Sequence, residues 1–68
     1  MQNGVEVDET SRQAVESLCN RLGVRQASER LGMSRDSVLR VIARQPIRKG
    51  TLLVLKEALA AGKGEVVA

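Results

Sequence analysis

The side chains of this 68-residue sequence that can do chemistry are mostly arginines, and they are unevenly spread. Eight of the eleven basic residues fall between Arg21 and Lys49: Arg21, Arg25, Arg30, Arg35, Arg40, Arg44, Arg48 and Lys49. Only Glu29 and Asp36 oppose them there, a local excess of six positive charges in a chain of net charge +3. The stretch before them is acidic, with Glu6, Asp8 and Glu9. Scattered arginines often do no more than solvate a surface. Concentrated on one segment, they suit a polyanionic partner. Catalysis lacks its usual groups. Without histidine, Ser34, Ser37 and Thr51 have no imidazole base and no histidine zinc site can form. The carboxylates suit caps and surface pairs, and Gly62-Lys63-Gly64 has no following helix to make a phosphate loop. A non-enzyme without cofactor, metal or small-molecule ligand is expected. With no aromatic residue, the stacking platforms of single-strand and RNA readers are missing.

Positioning these groups falls to Val24–Arg44, VRQASERLGMSRDSVLRVIAR. Val24, Ala27, Ser28 and Leu31 recur at helical spacing and put small or apolar side chains on one face. Gly32 stands where a chain leaving a helix adopts a left-handed conformation. Ser34 is an N-cap, and Asp36 places a negative charge in the first turn of the next helix. Val38, Val41 and Ile42 form that helix's buried stripe. Arg35, Asp36, Ser37, Leu39, Arg40 and Arg44 then point the other way.

The bend and its two helices resemble the helix-turn-helix of bacterial and phage transcriptional regulators of the Cro-like and lac-repressor-like kind. The resemblance rests on Ala27-Ser28, Leu31-Gly32-Met33-Ser34, Val38 and Arg40-Val41-Ile42, about twenty-one residues in all. Ser28 stands where the family often has alanine, a match of size rather than identity. The resemblance implies that Ser34 to Arg44 lies in the major groove of double-stranded DNA. Arg35, Asp36 and Arg40 then become base readers, with Ser37 and Leu39 available for polar or thymine-methyl contacts. Arg25, Gln26, Ser34, Arg44, Arg48 and Lys49 would hold the duplex through phosphates.

The remaining elements read as support. Residues 1–7 carry no helical pattern and are expected to fray, with Val5 and Val7 packing weakly. Asp8 or Thr10 caps a first helix running to Leu22, with an apolar stripe of Ala14, Val15, Leu18, Cys19 and Leu22. Arg12, Gln13, Glu16, Asn20 and Arg21 are expected to face water, with Arg12 and Glu16 forming an i,i+4 pair. Gly23 closes this helix. Gln45-Pro46 should end the one that starts after Ser34. Ile47 returns to the core, Arg48-Lys49-Gly50 forms a basic connector, and Thr51 caps a fourth helix from about Leu52 to Ala61. That helix buries Leu52, Leu55 and Leu59. Leu53 and Val54 fall outside this stripe, near Ala60 and Ala61, and are read as a dimer interface.

Sixty-eight residues allow one small domain, and one cysteine allows no internal disulfide, so efficient helix packing or a partner must hold it. Cys19 is expected to be a buried core residue and suits a reducing compartment. With no membrane-length apolar run and no signal-like start, a cytoplasmic protein is expected. The reading is thus an all-α bundle of three or four helices. Residues 1–7 form a flexible segment, 8–61 a helix-turn-helix DNA-binding domain, and 62–68 a flexible tail. Its expected function is a sequence-specific regulator, a phage or mobile-element repressor binding a pseudo-palindromic operator as a homodimer. The alternatives are an excisionase-like architectural DNA-binding factor and an antitoxin-like protein-interaction module using the Leu52–Leu59 face.

Overall fold

The structure, a computed structural model, describes residues 4–63. Four helices carry the fold, which is all-α apart from one very short ribbon. Helix α1 (Glu9–Leu22) starts at Asp8, whose carboxylate accepts from the Ser11 amide at 3.1 Å. It ends at Gly23. Helix α2 (Val24–Leu31) follows at once and is closed by Gly32 at φ 71°, ψ 28°. Helix α3 (Arg35–Ile42) begins at Ser34, and helix α4 (Lys49–Ala60) is the last regular element among the described residues. The core is assembled from one side of each helix: Val15 and Leu18, Ala27 and Leu31, Val38 and Val41, and Leu55 and Ala58. Met33 and Ile47 close it from the connecting segments. Ser28 is buried at the close approach of α2, and its hydroxyl is satisfied by donating to the Arg25 carbonyl at 2.7 Å. Among the described residues no helix is long and apolar enough to cross a membrane.

The amino-terminal segment departs from its expectation. Gly4–Val5 forms a strand, β1, that pairs antiparallel with β2 (Ile47–Arg48), Gly4 opposite Arg48 and Val5 opposite Ile47. Pairing satisfies backbone groups that a frayed end would leave to water, and it includes the buried Ile47. Residues 1–3 lie outside the described part. The segment after α3 is also ordered differently. Helix α4 starts at Lys49 rather than near Leu52, so there is no flexible Arg48-Lys49-Gly50 connector. Thr51 sits inside the helix instead of capping it, and no side chain caps the start. At the other end, Lys63 donates its amide to Ala58 at 2.9 Å and accepts from Arg30 at 2.8 Å. Gly62 and Lys63 therefore close α4 rather than open a loose tail. The rest of that expected tail, residues 64–68, is outside the described part.

Arg12 is the clearest reversal on α1. Its side chain is only 9% exposed rather than facing water. It donates to Glu9 at 2.7 Å and to Glu16 at 3.3 Å, so a carboxylate on the turn before and one on the turn after share its charge. Cys19 is half-buried rather than buried, and the same partial burial pushes its thiol pKa up.

Candidate functional site

Helix α3 divides sharply into two sides. Val38 and Val41 are buried, with Ile42 half-buried beside them. Arg35, Asp36, Leu39 and Arg40 are exposed, and Ser37 is half-buried. The turn before the helix sets this orientation. Gly32 takes the left-handed conformation that a side chain would strain, and Met33 turns inward. Ser34 then accepts from the Ser37 amide at 3.1 Å and donates from its hydroxyl to Ser37 Oγ at 3.0 Å. Both serines are thereby held at the amino end of the helix.

Asp36 and Arg40 face each other across one helical turn. Arg40 Nε donates to Asp36 Oδ2 at 2.9 Å, although both side chains are largely in solvent, Arg40 52% and Asp36 78% exposed. The carboxylate holds the inner nitrogen of the guanidinium, and neither terminal nitrogen is in an ion pair among the described residues. Arg35 is exposed and forms no ion pair among the described residues.

A cleft of about 560 Å³ runs beside this face. Ser34, Asp36, Ser37 and Arg40 line one side, and Gly4, Pro46, Ile47, Arg48 and Thr51 line the other. The ribbon thus brings Arg48 to α3, a juxtaposition that sequence spacing does not reveal. Lys49, the first residue of α4, is exposed and does not line the cleft. Arg25 and Gln26 are exposed on the first turn of α2, also outside the cleft.

Arg44 occupies a different position from the one its spacing suggests. Helix α3 stops at Ile42, Ala43 forms its cap, and Arg44 takes a left-handed φ of 62°. The residue therefore leaves the outward face, and its guanidinium reaches back to Glu9 at 3.0 Å. Glu9 is shared by Arg12 and Arg44, which hold its carboxyl below the usual range, the Arg12 hydrogen bond contributing most. At the neighbouring residue, Asp8 pairs with Lys56 of α4 and with Ser11, and its pKa falls to about 2, mainly through the Lys56 hydrogen bond. These contacts fix the start of α1 to α4 and to the end of α3.

Leu53 and Val54 stand on the outer side of α4, 57% and 42% exposed, as their place outside the apolar stripe predicts. Among the described residues no group of histidine, cysteine, aspartate and glutamate has the arrangement of a metal site. No family model matches the chain, no curated protein matches it in sequence, and no solved structure matches it.

Proposed function

We propose that the protein is a sequence-specific double-stranded-DNA-binding regulator in which α2, the Gly32 turn and α3 act as a helix-turn-helix. The observation that carries this reading is the two-sidedness of α3. Val38 and Val41 anchor it in the core while Arg35, Asp36, Leu39 and Arg40 stand in solvent beside a cleft that also holds Arg48. A helix anchored in this way can enter a major groove without losing its own packing.

In this reading Arg40 reads guanine. Asp36 grips its Nε, leaving two terminal nitrogens for the O6 and N7 acceptors. Arg35 and Ser37 offer further donors toward the amino end of the helix, and Leu39 offers an apolar contact for a thymine methyl. Arg48 and the uncapped amides at the start of α4 face the flanking phosphates. Ser34, Arg25 and Gln26 add backbone contacts. Arg44 contributes less because Glu9 already holds it. Two copies on a pseudo-palindromic operator would repress by excluding polymerase.

Selection of bound sequences from a random duplex pool, followed by gel shifts against random competitor, tests the reading. The expected result is a defined site containing guanine, on which Arg40→Ala costs about 1–3 kcal/mol and relaxes one base pair. Arg48→Ala should weaken all sequences alike and reduce the salt slope by about one. Failure to shift duplex DNA at low salt would overturn it.

A further inference from the structure

The outward side of α4 carries a pattern that DNA contact leaves unused. Residues four apart on a helix advance by about 40° around the axis, so Lys49, Leu53 and Glu57 form one slightly tilted row. All three are exposed, and Gly50, Val54, Ala60 and Ala61 flank them in the open. The space a side chain would occupy at Gly50 is empty. Among the described residues neither Lys49 nor Glu57 is in a salt bridge, whereas Lys56, on the edge of this face, is held by Asp8. The row therefore has a positive end, an apolar centre and a negative end, with the two charges equally far from Leu53.

We propose that this face takes a second copy of the chain, packed antiparallel about a two-fold axis through Leu53. The charge order selects that occupant. A two-fold through residue 53 sets Leu53 against its own copy and places Lys49 opposite Glu57 of the other copy twice, as an isologous contact requires. A parallel pairing in the same register would set like charges together. Gly50, which has no side chain, lets the helices approach closely, and Val54 extends the apolar contact. A methyl at Gly32 would stand 3.8 Å from Val54 Cγ1, so this face borders the turn that launches α3. Pairing here couples the orientation of the two α3 helices directly. The proposal deepens the reading of a paired regulator by naming the pairing surface. Its test needs no DNA, so the two can fail separately.

Sedimentation velocity of the whole chain at tens of micromolar, without nucleic acid, should give a dimer. Lys49→Glu or Glu57→Lys alone replaces two attractive pairs with two repulsive ones and should weaken the dimer about tenfold, the size expected for a few exposed pairs. Neither change should unfold the monomer, because glutamate suits a helix amino end and lysine a carboxyl end. The double variant Lys49→Glu/Glu57→Lys should restore the parent affinity. Lys49 and Glu57 lie two turns apart within one chain, so recovery can come only from contact between copies. Leu53→Glu should give a monomer with unchanged helical circular dichroism. A monomeric parent at hundreds of micromolar overturns the proposal. So does a dimer indifferent to both single charge changes, or a double variant that fails to recover.

Discussion

Two arginine–carboxylate groups, one at the start of α1 and one on α3, use the same chemistry in opposite ways. Arg12 is enclosed, with Glu9 and Glu16 on successive turns taking up its donors, and Glu9 passes the connection on to Arg44 beyond α3. Arg40 meets a single carboxylate, Asp36, on its own helix, and half of its side chain remains in water. The first arrangement joins elements, and all three nitrogens of the enclosed Arg12 already meet carboxylates of the protein itself. The second orients a guanidinium and leaves its end open. An ion pair identifies a working surface only when its geometry leaves hydrogen-bonding capacity unspent.

Substitutions test that contrast, and the largest stability loss belongs to neither pair. Val38→Ala opens a cavity under α3 and should cost about 1–3 kcal/mol in denaturant unfolding, while the folded fraction should keep the DNA preference proposed for the parent. A change in preference at full folding would mean that the buried side of α3 also reads the partner. Next comes Arg12→Ala, which leaves Glu16 without a cation and Glu9 with Arg44 alone. It should lower the melting temperature by several degrees, and Arg12→Met, which keeps the apolar stem, by less. A variant that melts with the parent would place Arg12 in the same class as Arg40.

Acid should find the same joint. The Asp8 pKa is about 2 against an ordinary 3.8, and Glu9 is lowered as well. A carboxylate lowered on folding stabilises above its unfolded pKa and loses that contribution as pH falls through its folded value. Stability should therefore decline between about pH 4 and pH 2, and Asp8→Asn should flatten the decline. Because Asp8 is half in solvent, salt should shrink the effect. The smallest change is expected for Arg40→Ala, within about 0.5 kcal/mol of the parent in stability, as for an exposed side chain. A loss as large as that of Arg12→Ala would make the Asp36 pair structural.

Local rules carried much of the architecture. Asp8 and Ser34 as caps, Gly32 as a left-handed stop, the Val38–Val41 stripe and the two sides of α4 are each written within a turn or two of chain. What escaped depends on distant partners. The burial of Arg12 had a local sign, carboxylates at positions 9 and 16, but helical projection put all three on the polar side. The early end of α3 has none, since Ala43 favours helix and the first local stop is Gln45-Pro46. Arg48 is no usual capping residue and Gly50 is a poor helix former, so the early start of α4 was equally hidden. The same holds for the cleft, where a two-residue strand too short to show alternation brings Arg48 beside Arg40.

That ribbon also bears on how the molecule closes in time. The helices and turns draw on backbone partners a few residues apart, whereas Gly4 and Val5 must find residues 48 and 47 across about two-thirds of the chain. Loop-closure entropy makes such a pairing a late event, after α1 to α3 have condensed. Its last gap is narrow: a methyl group on Gly4 would come within 2.6 Å of Pro46 Cβ. Gly4→Ala should therefore leave helix formation fast while hindering the final zipping. Amides of β1 and β2 should then exchange with solvent long before those of the helical core, as a latch that opens without unfolding the door.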